Sequence, residues 1–242
     1  MTLTAEGLTL GFPGRVLCEG LSFAVFPGQC WAVLGNNGSG KTTLMHALAG
    51  VGRPLAGSVR VDDLPLTNLR AAARARRIGL LLQEEPSEFW GSVLDYVSLG
   101  RYPHRRSLLG YEPDAARMAH SQLIRMDLGG SAGQALSTLS GGERQRARLA
   151  LVLTQDPDIY LLDEPLQHLD IRHQMQALDC FTGLARASGR AVMMVLHDPG
   201  LARRRCDHAV LLYDAEAPLA GPAERVLTSD NLERLYGVPL PL

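Results

Sequence analysis

One stretch near the N-terminus restricts the fold more than any other part of the chain. Residues 29–35, QCWAVLG, form a nearly continuous apolar run of strand length, and GNNGSGKT at 35–42 follows directly. A helical pattern then continues to Gly50, a residue type that is common at helix C-caps. The pattern GxxxxGK[ST] between a strand and a helix is typical of a loop whose backbone N–H groups bind phosphate. The sequence therefore predicts a strand, a phosphate-binding loop and a helix, in that order.

Further apolar runs extend this unit into a sheet. They are as long as strands and almost uninterrupted, as expected of strands that are buried on both faces of a parallel sheet. These runs lie at 78–83, 158–164, 191–197 and 208–213. Because helical patterns lie between them, the chain is predicted to have an α/β fold with a P-loop (RecA-like) parallel sheet core.

The N-terminal part of the chain has a different pattern. Shorter and more alternating runs at 8–12, 21–28 and 57–66 favour antiparallel strands, with turns at Pro13-Gly14 and Pro27-Gly28. An N-terminal antiparallel β subdomain is therefore expected beside the parallel core.

The middle of the chain is predicted to be an inserted α-helical subdomain. From about Pro86 to Asp156 the sequence has no convincing buried strand, and it has helical patterns at 92–100, 113–126 and 143–155. We therefore divide the chain into a nucleotide-binding core with its β subdomain and a helical subdomain. The core takes residues 1–85 and 157–242, and the helical subdomain takes residues 86–156.

Composition excludes several classes of protein. A chain of 242 residues that is 46% hydrophobic and 20% charged suits one large globular domain with an insertion. The net charge of −1 provides no basic field for nucleic acid, so no nucleic-acid partner is expected. The N-terminus lacks a charged segment followed by an apolar core, and no apolar run approaches the roughly 20 residues that span a bilayer. We expect a soluble, cytoplasmic protein with reduced, buried cysteines at positions 18, 30, 180 and 206.

Two motifs carry the predicted chemistry. In the glycine loop, Lys41, the only lysine of the chain, is predicted to contact the terminal phosphates, and Thr42 offers a hydroxyl for Mg²⁺. The second motif is IYLLDE at 159–164, an apolar strand that ends in two carboxylates. Asp163 is predicted to hold Mg²⁺ and Glu164 to orient or deprotonate the attacking water. Together the motifs indicate a nucleoside-triphosphate hydrolase.

A third motif leads to a known family. LSGGERQR at 139–146 resembles the signature of the ABC ATPases, the ATP-binding cassettes. Almost no other P-loop family has this signature. Other motifs appear in the order of that family: Gln83 resembles the Q-loop glutamine, LQHLD at 166–170 resembles the D-loop, and His197 resembles the switch histidine. Phe12 stands where the family usually has a tyrosine that stacks on adenine. The resemblance covers essentially the whole chain.

The resemblance implies a site shared between two copies of the chain. In this family two subunits dimerise head to tail, so that the signature of one faces the phosphate loop of the other. ATP would be bound by one copy through Phe12, Gly35, Asn36, Asn37, Gly38, Ser39, Gly40, Lys41, Thr42 and Thr43. The other copy would contribute Ser140, Gly141, Gly142 and Asp170.

The resemblance also assigns catalytic roles. Glu164 would be the general base, and His197 would contact the γ-phosphate and position the water. Gln83 would contact Mg²⁺ together with Thr42 and Asp163, and Lys41 would complete the catalytic set.

The chain departs from the family pattern at three places. Phe12 replaces the usual tyrosine and lacks its hydroxyl. Asn36 occupies a loop position where proline is common. Leu166-Gln167 replaces a small hydroxyl pair ahead of HLD and could change how the two sites communicate.

A segment after the Q-loop favours transport. Residues 92–110, which contain GRYPHR, and the ending VLTSDNLERLYGV resemble importers for ferric siderophores, haem and cobalamin. This resemblance implies an integral membrane permease dimer that contacts the chain around residues 84–106, a periplasmic binding protein acting indirectly, and a peripheral location on the cytoplasmic face of the inner membrane. Aromatic and basic residues of this segment could form an amphipathic contact patch: Phe89, Trp90, Arg101, Tyr102, Arg105 and Arg106. A soluble ABC ATPase, such as one of iron-sulfur assembly, stays open as the alternative.

Overall fold

The computed structural model describes residues 1–82, 89–105, 114–214 and 216–239. The strands are β1 (Leu3–Phe12), β2 (Arg15–Val25), β3 (Cys30–Gly35), β4 (Ala56–Val61), β5 (Leu64–Pro65), β6 (Ile78–Leu81), β7 (Ile159–Leu162), β8 (Ala191–Val195), β9 (His208–Leu212) and β10 (Leu219–Pro222). The helices are α1 (Lys41–Ala49), α2 (Ala71–Arg77), α3 (Val93–Ser98), α4 (Ala115–Arg125), α5 (Gly141–Gln155), α6 (Ile171–Ser188), α7 (Pro199–Arg205), α8 (Ala223–Val226) and α9 (Ser229–Tyr236).

A six-stranded sheet forms the centre of the molecule. Its strand order is β10-β9-β3-β8-β7-β6, and every pair is parallel except β10 with β9. Successive side chains of a strand point to opposite faces. Accordingly, Ala32 and Leu34 of β3 join one apolar cluster, whereas Trp31 and Val33 join another. Both faces are therefore covered, which explains the uninterrupted apolar runs, and the predicted α/β fold with a parallel core is confirmed.

A second, four-stranded antiparallel sheet covers one face of the core. Its order is β2-β1-β4-β5, and β1 and β2 are joined through the predicted turn at Pro13-Gly14. Helix α1 lies between the two sheets, because its buried Leu44 and Leu48 pack in the same cluster as Leu3 of β1 and Val33 of β3. This packing fixes the direction of α1 and hence the position of the loop before it.

The helices between β6 and β7 cover the opposite face. Residues of α3, α4 and α5 share one apolar cluster with Tyr160 and Leu162 of β7 and with α6. The pattern predicted as a helix at 92–100 is an α-helix only over Val93–Ser98 and continues as 3₁₀ helix over Leu99–His104. Pro103 lies in that segment, and it has no N–H for a regular helix.

Three further features bear on the sequence predictions. Strand β10 was not predicted, because LAGP at 219–222 is short and only half-buried. All four cysteines are free and buried, as expected. Within the ranges that the structure describes, no helix is long and apolar enough to cross a membrane.

Candidate functional site

The glycine loop connects the end of β3 to the start of α1. Gly38 and Gly40 have φ values of 81° and 101°, a region that favours glycine. A Cβ on Gly35 would lie 2.4 Å from Oγ of Ser39 and 2.8 Å from the backbone oxygen of Leu212. The loop can close tightly around an anion only because these positions lack side chains.

A pocket of about 290 Å³ opens beside this loop. It brings together most residues that the sequence predicted for the nucleotide. Its lining consists of Phe12, Leu17, Asn37, Gly38, Gly40, Lys41, Thr42, Thr43 and Glu164. Phe12 is exposed at the end of β1, so its ring can stack on a planar base. Leu17 was missed, because an apolar residue in a half-exposed strand carries no chemical signature.

Lys41 is the cation of the pocket. The residue is only 6% exposed, and its Nζ donates hydrogen bonds of 2.9 Å to the backbone oxygens of Gly35 and Asn36. Burial lowers the pKa of Lys41, and the charges of Glu164, Asp163 and Asp214 oppose that shift. The ammonium therefore lies inside the loop, held by neutral acceptors that phosphate oxygens can replace.

Asp163 fits a divalent cation. Neither carboxylate oxygen makes a hydrogen bond of ordinary geometry within the described residues, although both are buried. Burial raises the pKa of Asp163, and the hydroxyl of neighbouring Thr42 opposes that shift. A buried carboxylate with so few donors is costly unless a cation approaches it. With the Thr42 hydroxyl its oxygens form a set of hard oxygen donors, the kind that Mg²⁺ prefers.

Glu164 and His197 meet at the carboxyl ends of neighbouring strands. Nε2 of His197 lies 3.1 Å from Oε1 of Glu164, and their side chains are 57% and 10% exposed. Glu164 has a φ of 50°, an uncommon value for a non-glycine residue. Nε2 of Gln145, a buried residue of α5, donates to the backbone oxygens of Glu164 and Pro165 at 3.3 and 3.1 Å. The motif after β7 is thus held from the signature helix.

The signature residues form the N-terminus of α5. Ser140 caps this helix: its hydroxyl donates to Oε2 of Glu143 at 2.6 Å and accepts from the N–H of Glu143 at 3.3 Å. The hydroxyl and, at 2.9 Å, the backbone N–H of Ser140 both donate to the Glu143 carboxylate, and these two hydrogen bonds lower the pKa of Glu143. Ser140 and Gly141 are exposed. Neither they nor Gly142 are among the described residues that line the pocket at Lys41.

The D-loop lies against the signature. A Cβ on Gly142 would be 2.9 Å from the backbone oxygen of His168. Asp170 caps α6 by accepting from the N–H of His173 at 2.9 Å, and hydrogen bonds from His173 lower the pKa of Asp170. Asp170 is exposed and also lies outside the pocket lining. Signature and D-loop therefore form a second polar surface next to, but apart from, the phosphate loop.

Several predicted residues lie outside the described part of the chain. They are Gln83, residues 84–88 and Arg106. Sequence reasoning also missed Gln145, although it lies within the quoted signature, because its contacts depend on which strand end meets the helix.

The fold and the pocket define a class of protein: a P-loop nucleoside-triphosphate-binding protein with a second polar surface near its phosphate site. Comparison with known proteins gives the family. The family described as ABC transporter matches residues 18–167. The chain belongs to this family, and it is an ATPase that binds ATP.

Individual relatives match nearly the whole chain. A hemin import ATP-binding protein of Bordetella parapertussis is 37% identical over 247 residues, which cover 98% of this chain and 93% of that protein. The ferric enterobactin transport ATP-binding protein of Escherichia coli is 34% identical over 236 residues, covering 98% and 87%. A cobalamin import ATP-binding protein of Halobacterium salinarum is 35% identical and covers 98% of this chain but 59% of its own length.

Solved structures agree on the fold. One described as an inward-facing metal-chelate type ABC transporter has a TM-score of 0.84 and 29% identity, and the match covers 98% of this chain and 90% of that one. A dimeric bacterial ABC transporter cassette has a TM-score of 0.81 at 22% identity, with coverage of 91% and 98%.

Proposed function

We propose that this chain is the ATP-hydrolysing subunit of a membrane importer for a metal chelate, namely a ferric siderophore, haem or cobalamin. The observation that carries the proposal is the match of nearly the whole chain to ATP-binding subunits named for hemin, ferric enterobactin and cobalamin. The soluble alternative, an iron-sulfur assembly ATPase, is not favoured, because the relatives that match nearly the whole chain are named for import or transport.

In the proposed working form, two copies of the chain enclose ATP head to tail. Phe12 and residues 35–43 of one copy hold the nucleotide, and the exposed N-terminus of α5 of the other copy faces its γ-phosphate. Ser140, Gly141 and Gly142 would supply a hydroxyl, backbone N–H groups and the positive end of the α5 dipole. Asp170, exposed beside this helix end, would reach across the same interface. One lysine per copy suffices, because the signature binds the phosphate through a hydroxyl, backbone N–H groups and a helix dipole and needs no side-chain cation of its own.

The proposed hydrolysis places Glu164 as the general base. A water between Glu164 and the γ-phosphate would lose its proton to the carboxylate as it attacks. His197, 3.1 Å from Oε1 of Glu164, would orient this carboxylate and donate toward the γ-phosphate. Lys41 would leave the loop carbonyls for the phosphate oxygens. Thr42, Asp163 and Gln83 would hold Mg²⁺, which would offset the charge of the phosphates.

A permease is proposed to dock around residues 84–106, as the resemblance to importers implies. Among the described residues of that segment, Trp90 is 91% exposed and Tyr102 is also exposed. Tyr102 and Leu99 line an apolar groove of about 480 Å³ together with Val51 and Leu82. Arg105 stacks on Tyr102 at 5.4 Å, which adds a positive charge to its rim. A large exposed aromatic beside such a groove is typical of a protein interface.

The proposal includes a cellular arrangement. The chain would lie on the cytoplasmic face of the inner membrane through its permease, and a periplasmic binding protein would deliver the chelate on the other side. The core formed by residues 1–85 and 157–242 would bind ATP, and the helical subdomain of residues 86–156 would carry the signature and the permease contact.

The test is uptake in a strain that lacks this gene. Labelled cobalamin, a ferric siderophore and haem are compared, and loss of one uptake that the wild type restores would identify the cargo. Glu164→Gln should not restore uptake, because losing a general base costs about 10²–10⁴ in rate. This variant should instead retain ATP and sediment as a stable dimer. Persistence of all three uptakes, without a second cassette, would refute the importer function and favour the soluble alternative.

A further inference from the structure

The side chain of Asn36 connects the phosphate loop to the C-terminal part of the chain. Its Nδ2 donates one hydrogen bond of 2.9 Å to the backbone oxygen of Leu235 in α9 and another of 3.2 Å to Oδ2 of Asp214. Both partners are acceptors, so the two protons of one amide nitrogen are used. At the same residue, the backbone oxygen of Asn36 accepts from Nζ of Lys41 at 2.9 Å. Asn36 therefore lies directly between the catalytic lysine and α9.

Helix α9 is itself firmly attached to the end of the central sheet. Leu232 and Leu235 are buried in the main apolar cluster. The hydroxyl of Tyr213, which follows β9, donates to the backbone oxygen of Asn231 at 3.3 Å. Arg234 lies 5.0 Å over the ring of Tyr213 and also pairs with Glu216. A displacement of α9 would thus move the backbone oxygen of Leu235, one of the two acceptors of Asn36.

The last residue of α9 lies near the segment that follows His197. Tyr236 is partly buried, and burial together with the nearby charge of Asp198 raises the pKa of its phenol to about 12. Asp198 directly follows His197 and caps α7 by accepting from the N–H of Leu201. One helix therefore contacts the phosphate loop at Leu235 and adjoins the segment after the switch histidine at Tyr236.

We propose that Asn36 is a positioning residue that couples nucleotide binding at the phosphate loop to the placement of α9. Nucleotide that draws Lys41 out of the loop removes the hydrogen bond that the Asn36 backbone oxygen accepts, and the side-chain amide transmits the change to α9. Reciprocally, a held α9 keeps the loop in its binding geometry. This inference rests on the proposed nucleotide binding, but it assigns to the C-terminal helix a part in that binding.

The chemistry of position 36 is specific. An alanine leaves the oxygens of Asp214 and Leu235 without this donor, and an aspartate would place a second carboxylate against Asp214. Proline, common at this position in the family, has no side-chain amide to donate either hydrogen bond. The coupling is therefore a property of this chain's own sequence.

The experiment measures Mg-ADP binding to the full chain by calorimetry. Mg-ADP fills the phosphate loop without offering a γ-phosphate to a second copy, so dimerisation does not complicate the result. Asn36→Ala should raise the Kd for Mg-ADP roughly 5- to 20-fold, the range expected for losing two hydrogen bonds that couple two sites. The matched control is Gln176→Ala, which removes an amide hydrogen bond of 2.8 Å from α6 to the backbone oxygen of Arg125 in α4, neither of which lines the pocket at Lys41. Its Kd should stay within about twofold of the wild type.

Hydrogen–deuterium exchange of α9 supplies a readout that a merely local role would not change. Because coupling is reciprocal, saturating Mg-ADP should slow the exchange of the amides of residues 232–237 in the wild type and in Gln176→Ala. In saturated Asn36→Ala this slowing should be absent. A Kd for Asn36→Ala within twofold of the wild type, or α9 protection equal to that of the wild type, would refute the coupling. A wild type that binds no Mg-ADP would overturn the proposed function and the coupling with it.

Discussion

Among the described helices, α3 and α5 begin with the same kind of capping box, and only α5 belongs to the signature. Ser140 caps α5 with Glu143, and Ser92 caps α3 with Asp95. In both boxes the serine hydroxyl donates to the carboxylate at 2.6 Å. Replacing an N-cap serine by alanine costs about 1 kcal/mol. We therefore expect Ser140→Ala and Ser92→Ala to lower the Tm equally, by about 2–4 °C for a chain of this size.

The effect on ATP-driven dimerisation should differ between the two variants. In the free subunit the Ser140 hydroxyl donates to the Glu143 carboxylate, and in the dimer it would donate to a γ-phosphate instead. A hydrogen bond to a charged group contributes about 1.5–3 kcal/mol in either state. Because one such bond replaces another, the net gain per site is at most about 1.5 kcal/mol, or roughly tenfold. A symmetric dimer contains two sites, so Ser140→Ala should raise the dimer Kd by up to about 100-fold.

Sedimentation velocity at saturating Mg-ATP measures this dimer Kd. Both serine variants are made in the Glu164→Gln background, so that ATP hydrolysis does not dissociate the dimer. Ser92→Ala should dimerise like its parent. Equal weakening by both variants would mean that Ser140 acts only as a helix cap. A loss well beyond about 100-fold would contradict the exchange of one charged acceptor for another.

Three further predictions concern the phosphate pocket and the residues that support it. Because burial raises the pKa of Asp163, a proton competes with the cation at higher pH than for an ordinary aspartate, and the affinity for Mg-ATP should fall as the pH decreases through that raised pKa. The affinity is measured from about pH 8 to about pH 5 for the wild type and for Asp163→Asn, the variant that reports the nucleotide's own protonation. The wild type should show an additional pH dependence, and identical profiles would exclude it. The same shift makes the native state bind the proton more tightly than the unfolded chain, so this group's contribution to the unfolding free energy decreases as pH rises through the raised pKa. Gly35→Ala should abolish nucleotide binding in calorimetry, because its Cβ would lie 2.8 Å from backbone that cannot move aside; near-normal affinity would show that the loop is less tightly closed. Gln145→Ala leaves the backbone oxygens of Glu164 and Pro165, after β7, without their donor. It should lower the unfolding free energy measured in urea by about 1–3 kcal/mol and reduce kcat. An unchanged kcat would show that Glu164 is positioned without Gln145.

Much of the architecture could be predicted from local sequence. The runs at β3, β7, β8 and β9 were recognised because strands buried on both faces are continuously apolar. Strand β10 was not recognised, since it is a short edge strand paired on one side only. The change from α-helix to 3₁₀ helix after Ser98 was also missed, because the predicted helical pattern continues to residue 100.

Part of the candidate site could likewise be predicted from the sequence alone. Spacing within one strand–loop–helix unit decides that Lys41 and Thr42 lie together, and two acids at the end of an apolar strand decide that Asp163 and Glu164 do. Only the tertiary structure decides which distant groups join them. Asn36 contacts a backbone oxygen 199 positions away, and Gln145 reaches the strand end 20 positions on. Such contacts leave no period or motif in the sequence, because a backbone oxygen is the same for every residue type, and only packing determines which one comes within reach of a donor.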